Sequence, residues 1–321
     1  MEKTKVPREL KYLAPFFHDI ELGKGYNTAP ESYRMREAIN LFFPSLLKLH
    51  GGSLKGLRIL DVGCNSGGFS FAATKYGAKE VVGIDPDPHN IKQAEAISAY
   101  LKNKKVKFLK FRAEELDGQN LGKFDIVILA GILYHLTDPI GTMQKIAKLA
   151  KSTLLIDSHV HYTTDSTEED IPSWWMLSDT DRHDLEGLFV NDKTLSLKEY
   201  LKFERENPVD YNSLPKQFIP SPHTQRDIKF IRKYMPHGSG GVRTDCNIGS
   251  AKSGNLVLIP NKKALFKMVR YFGFEDLMEV IPHRFSSLPY KENYRVCLFA
   301  LRRSEKGPFP ISETQRALNN S

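Results

Sequence analysis

The chain has 321 residues, 40% hydrophobic and 26% charged, enough apolar content to bury a full core in one enlarged domain or a domain with an insertion. Its formal net charge of +8 favours anionic partners only weakly, because charge balance speaks to association rather than to fold. Cys64, Cys246 and Cys297 are too few and too scattered for a disulfide framework or zinc spacing, the opening residues lack the apolar core of a secretion signal, and no stretch is long enough to span a membrane; a cytoplasmic protein without a membrane partner is expected.

Residues 1–50 read as an N-terminal extension. Its segment from Phe16 to Thr28 precedes a helix expected from about Glu31 to His50, which Gly51 and Gly52 would end. Next comes the run from Ile59 to Ser70, ILDVGCNSGGFS, in which an apolar strand enters a glycine turn that opens a helix. Glycine at 63 and 67 lets the backbone turn tightly and approach a ligand, and a helix starting near Gly67 would aim free N–H groups at a polar group. A dinucleotide fingerprint would place glycine where Asn65 stands. The carboxylate of Asp61 would repel a pyrophosphate and suits an amino group better.

The second strand, Glu80 to Asp85, ends in a carboxylate able to accept from both ribose hydroxyls of an adenosine, with Pro86 in the turn that follows. After a short strand from Val106 to Leu109, the segment Phe111 to Glu115 would supply adenine-edge contacts through Ala113 and Glu114. The run from Lys123 to His135 gives a fourth strand expected to carry Tyr134 and His135 at its carboxyl end; His135 is either an active-site group or a hydrogen-bonded packing histidine. A fifth strand from Ser152 to Asp157 leads to His159 and His161. Both rings of such a pair would point to one side of a strand, a metal-compatible geometry, but no third ligand stands at a recognisable spacing, so no metal is expected and hydrogen bonding or base work is preferred.

Taken in order and spacing, LDVGCNSGGFSF, GIDPDP and FDIVILAGILYHLTDP resemble motifs of class I S-adenosylmethionine-dependent methyltransferases over roughly residues 52–160, and the likeness resumes from Asn255 to Ala300. GxLYH and the late PN…AL…GF segment are similar to the branch containing bacterial tRNA wobble-uridine carboxymethyltransferases and their small-molecule relatives. The resemblance implies an α/β Rossmann-like fold: a seven-stranded mixed sheet with a parallel core and a terminal antiparallel strand, helices on both faces, an N-terminal helical cover, and a large insert after strand five. It implies S-adenosyl-L-methionine as cofactor, held by Asp61, Gly63, Asn65, Gly67, Asp85, Pro86, Ala113, Glu114 and Ala130. It also implies catalytic roles among Tyr134, His135, His159 and His161, and a cover that brings His18, Tyr26 and Tyr33 to the pocket.

The organisation expected is a cover over 1–50, a core over 51–162 and 255–303, a substrate-side insert over 163–254 that acts as a lid or subunit contact, and a C-terminal tail over 304–321. Within the insert, Gln225 to Met235 reads as an amphipathic helix with Arg226, Lys229 and Lys233 on one face, either a phosphate contact or a solvated face. Methyl transfer asks the protein to align an acceptor, exclude water and remove a proton from a hydroxyl. A small-molecule acceptor, methylated at oxygen in preference to nitrogen, is expected. The alternatives are a tRNA wobble-uridine (carboxy)methyltransferase and a non-catalytic cofactor-binding module. A carboxylated cofactor would need added cations, and the lysine- and tryptophan-bearing segment of the wobble-uridine enzymes has no match in Phe17 to Thr28.

Overall fold

The computed structural model describes residues 6–29, 33–136, 139–160, 230–234, 256–260, 262–280 and 295–302. A 3-10 turn at Arg8–Leu13 opens the cover, followed by the short hairpin β1 (Glu21–Gly23) and β2 (Tyr26–Asn27). Helix α1 (Tyr33–Leu49) lies within the expected span, and Gly52, at φ 87°, donates back to the Leu47 carbonyl at 2.7 Å, which is how the glycine pair closes the helix. Phe42, Phe43 and Leu46 repeat at helical spacing and are fully buried, and Phe42 stacks on Phe69 with centroids 6.0 Å apart.

The core follows as β3 (Arg58–Val62), α2 (Gly68–Lys75), β4 (Glu80–Asp85), α3 (Pro88–Tyr100), β5 (Val106–Lys110) and a 3-10 turn at Ala113–Gly118. After it come β6 (Phe124–Ala130), a 3-10 turn at Leu133–His135, α4 (Pro139–Leu149) and β7 (Ala150–His159). The described C-terminal elements are β8 (Phe230–Tyr234), β9 (Leu256–Pro260), α5 (Lys262–Tyr271), β10 (Asp276–Glu279) and β11 (Arg295–Leu301).

Seven strands form one sheet in the order β10-β11-β7-β6-β3-β4-β5, and β11 runs antiparallel to both its neighbours, as expected of the mixed sheet. Successive side chains of β3 serve opposite faces: Ile59 joins the apolar cluster with Phe42, Phe43 and Phe69, whereas Leu60 joins the cluster with Met143, Ile146, Leu265 and Phe274. Both faces are therefore covered by helices, which is why β3, β4 and β6 read as continuous apolar runs. The chain reverses its order of strand addition at β3, with β4 on one side and β6 on the other, and this opens a crevice at the carboxyl ends of these strands.

Two expectations change. The helix expected over 225–235 is not what forms at 230–234: Phe230–Tyr234 is a strand paired antiparallel with Leu256–Pro260, Ile231 opposite Ile259. The Phe-Ile-Arg-Lys-Tyr run is rich in β-forming residues, and pairing with a second such run overrides a helical period. Of the basic face read from sequence, Lys233 stands on this strand, whereas Arg226 and Lys229 lie outside the described residues. Secondly, Tyr134 and His135 stand on the 3-10 turn beyond β6, not on the strand itself, because Gly131 at φ 75° turns the chain after Ala130. The strand β9 joins β8 in a two-stranded ribbon outside the seven-stranded sheet. The rest of the 163–254 insert, the 304–321 tail, and His161 lie outside the described residues.

Candidate active site

The loop from Gly63 to Gly68 sits at the mouth of the crevice, and its shape depends on three left-handed residues: Gly63 (φ 72°), Asn65 (φ 49°) and Gly67 (φ 91°). A Cβ on Gly63 would stand 2.9 Å from Ile132 Cδ1, and one on Gly67 would stand 2.8 Å from Phe108 Cζ. Asn65 occupies the position where a dinucleotide motif places glycine, tolerates the left-handed region, and uses its Oδ1 to accept from the Ser66 N–H at 2.7 Å.

Every backbone N–H from 63 to 68 has an acceptor within the protein. Gly63 and Cys64 donate to the Ile84 carbonyl at 2.8 and 2.9 Å, and Gly67 donates to the Cys64 carbonyl at 2.8 Å. Asn65 donates to Asp85 Oδ2 at 2.9 Å, Ser66 to Asn65 Oδ1, and Gly68 to His18 Nδ1 at 3.1 Å. The expectation that this loop presents free N–H groups is therefore corrected. With its donors committed and carboxylates beside it, the loop is unsuited to a phosphate and suited to a cationic or hydroxyl-bearing ligand.

Asp61, at the end of β3, is 2% exposed, and its carboxyl accepts from Ser70 Oγ at 2.6 Å. Burial pushes its pKa up to about 7, against the hydrogen bonds from Ser70 and with a further push from Asp85. Such a carboxyl gains most from a cation brought beside it. Asp85 is also buried, and its pKa is raised by burial; it accepts from Asn65 N, from Asp87 N at 2.9 Å and from Asn90 Nδ2 at 3.1 Å. Three of its roughly four acceptor sites are thus engaged in shaping the loop, so its capacity for ribose hydroxyls is narrower than the sequence suggests. Ser66, which sequence reasoning missed, has a fully buried Oγ with no hydrogen-bond partner among the described residues.

Pro86 follows Asp85 and is half-buried; Ala113 is buried at the start of its 3-10 turn. Lys145 on α4 donates to the Glu114 carbonyl at 2.6 Å, which ties this turn to the helix beneath it. Ala130 closes β6 beside Asp157 in the register of β7.

A second group of polar residues lies past Ala130. The rings of Tyr134 and His135 are 4.4 Å apart by centroid, and Tyr134 meets His159 edge-on at 4.8 Å. Two residues not singled out from sequence organise them. Arg295, first residue of β11, donates from Nε to Asp157 Oδ1 at 2.8 Å and from Nη2 to Asp157 Oδ2, and its Nη1 lies 3.0 Å from His159 Nε2. A guanidinium only donates, so His159 Nε2 is the acceptor and carries no proton. Tyr134 also hydrogen-bonds Arg295; burial raises its phenol pKa, although the guanidinium pulls the other way. Gly131 makes room: a Cβ there would stand 3.4 Å from Arg295 Nη2 and 3.5 Å from the Tyr134 hydroxyl. The signal for Asp157 was its place at the end of a strand, while Arg295 has none without the pairing of β11 to β7.

Residues 53–204 match the family model described as a methyltransferase domain. Among curated relatives, the chain is 33% identical to the tRNA U34 carboxymethyltransferase of Aliarcobacter butzleri over 119 residues, 36% of this chain and 38% of that protein. It is 37% identical to the enzyme of the same name from Pseudomonas fluorescens over 111 residues (32% and 35%), and 31% identical to that of Shewanella baltica over 189 residues (48% and 56%). The chain thus matches between about a third and little more than half of these relatives' lengths. Among solved structures, the N-terminal domain of EvdMO1 with SAH bound superposes with a TM-score of 0.56 at 16% identity, covering 92% of this chain and 93% of that one, a likeness of fold.

Proposed function

We propose that this chain transfers a methyl group from S-adenosyl-L-methionine: residues 53–204 match the family model described as a methyltransferase domain, and the fold is like that of the N-terminal domain of EvdMO1 with SAH bound. The observation that carries the reading is the loop: its N–H groups from 63 to 68 are all committed, and the buried Asp61 stands beside it. These residues fit a cofactor with an ammonium group, an adenosine and no phosphate.

When bound, the cofactor supplies an electrophilic sulfonium methyl. Asp61 holds the ammonium, Asp85 receives ribose, and Ala113 and Glu114 border the adenine. The cluster beyond Gly131 then receives the acceptor. Its Tyr134 is a neutral phenol oriented by Arg295, a hydrogen-bonding group that aligns an oxygen. His159 Nε2 accepts from Arg295, so among the described histidines of this cluster His135, half-buried and packed on Tyr134, is the base that takes a hydroxyl proton. Arg295, beside Tyr134, is matched on two nitrogens by Asp157 and so is already neutralised, which favours plain S-adenosyl-L-methionine over a carboxylated donor.

For the acceptor, the relatives' names support a tRNA wobble uridine over the small molecule expected from sequence. A small-molecule hydroxyl is the second reading, favoured by the compactness of the Tyr134, His135 and His159 rings. Calorimetric titration with S-adenosylhomocysteine tests the donor: absence of binding overturns it. Methyl-labelled S-adenosylmethionine offered to total tRNA and to a metabolite extract tests the acceptor. Label chiefly in tRNA supports the first reading; label chiefly in small molecules replaces it with the second.

A further inference from the structure

Helix α2 begins without a side-chain cap of its own, because its N-cap residue is Gly67, whose left-handed φ of 91° excludes the serine, threonine or aspartate that would ordinarily serve. The first helical N–H, that of Gly68, is satisfied from 50 residues upstream by His18 Nδ1 at 3.1 Å. His18 is 6% exposed, and burial lowers its pKa to about 3, so its imidazole is neutral and has a lone pair to give. With Nδ1 accepting, its proton is on Nε2.

The cover holds His18 from both sides. Thr28 Oγ1 donates to the His18 carbonyl and accepts from the Ile20 N–H at 2.8 Å. The neighbouring Asp19 takes Asn27 Nδ2 at 3.0 Å and is paired with Arg36 of α1. Gln93 of α3 donates to the Leu13 and Pro15 carbonyls at 2.6 and 2.8 Å, which pins the chain just before His18. The cover thus meets the cofactor loop through the His18 hydrogen bond to Gly68, beside the apolar cluster that Cys64 shares with Leu10, Leu13, Phe16, Ile20 and Leu22.

We propose that His18 is a positioning residue for the cofactor loop: as the imported cap of helix α2, it couples ordering of the N-terminal cover to the shape of the Gly63 to Gly68 turn. The proposal rests on the assignment of that turn to S-adenosyl-L-methionine. Asparagine places an acceptor oxygen at the same distance from the backbone as Nδ1 and restores the cap; alanine and phenylalanine remove it, the latter keeping an apolar ring.

The test compares the full-length wild type with His18→Ala, His18→Phe and His18→Asn by calorimetric titration with S-adenosylhomocysteine and by methyl-transfer kinetics. Loss of a cap predicts affinity weaker by roughly tenfold in His18→Ala and His18→Phe, with KM for the donor rising in step and kcat at saturating donor within about threefold. His18→Asn recovers affinity to within about threefold of wild type. Hydrogen exchange on the wild type shows residues 6–29 gaining protection when S-adenosylhomocysteine binds, a readout independent of whether any variant folds. Equal affinity in all four proteins, a fall in kcat without a change in affinity, or no added protection of 6–29 overturns the inference. Failure of the wild type itself to bind overturns the cofactor assignment instead.

Discussion

Arg295 and Asp157 meet fork to fork across the β11–β7 pair, Nε on Oδ1 at 2.8 Å and Nη2 on Oδ2, with side chains only 19% and 3% exposed. The pair is bidentate and largely desolvated, so removing one partner strands a charge. Asp157→Ala and Arg295→Ala are each expected to lower unfolding free energy by about 3 kcal/mol, and the double variant by less than their sum. Urea unfolding of the four proteins of this cycle checks it; strictly additive losses would show that the pair is not coupled.

If Asp61 holds the cofactor's ammonium as proposed, cofactor affinity is expected to be pH-dependent. Its folded pKa of about 7 lies above the ordinary 3.8, so below neutrality the carboxyl is protonated and cannot offer a full charge to the cofactor's ammonium. Affinity for S-adenosylhomocysteine is expected to rise from pH 6 to pH 8 and then level, with proton release seen by calorimetry in buffers of different ionisation enthalpy. Asp61→Asn is expected to flatten this profile and weaken binding by at least tenfold.

The same shift has a consequence for stability. A carboxyl whose pKa is raised on folding contributes stability that is fully present below pH 4 and is lost as pH rises through 7. In the ligand-free protein at pH 8, Asp61→Asn is therefore expected to raise the thermal midpoint, by an amount corresponding to at most a few kcal/mol. A lower midpoint for the variant at pH 8 contradicts the assignment of burial as the cause.

The glycines divide into those that a side chain would disrupt and those it would not. Gly67→Ala places a Cβ 2.8 Å from the Phe108 and Phe71 rings at φ 91°, and is expected to cost about 2 kcal/mol or more and to abolish cofactor binding. Gly118→Ala meets nothing within 4 Å and is expected to leave both unchanged. Chemical denaturation and calorimetry on the two variants make the comparison.

Tyr134→Phe removes only the hydroxyl that bonds Arg295. If that phenol aligns the acceptor, kcat is expected to fall by about tenfold or more while affinity for S-adenosylhomocysteine stays within twofold of wild type. An equal loss in affinity would move Tyr134 from the acceptor side to the cofactor side.

By itself the sequence determined the strand, glycine turn and helix on which the donor reading rests. Apolar runs from Ile59, Val81 and Ile126, glycines at 63 and 67, and carboxylates at 61 and 85 are local signals, because strand burial, left-handed turns and strand-end carboxylates each act within a few residues. It misread Phe230 to Tyr234, where a helical period and a β-forming composition compete and only pairing with Leu256–Pro260 decides. Tertiary structure alone decided that the loop's N–H groups are engaged and what surrounds Tyr134. His18 reaches Gly68 across 50 residues, and Arg295 reaches Asp157 across 138. Such contacts depend on sheet register and on the docking of the cover, and neither leaves a periodic trace in the chain.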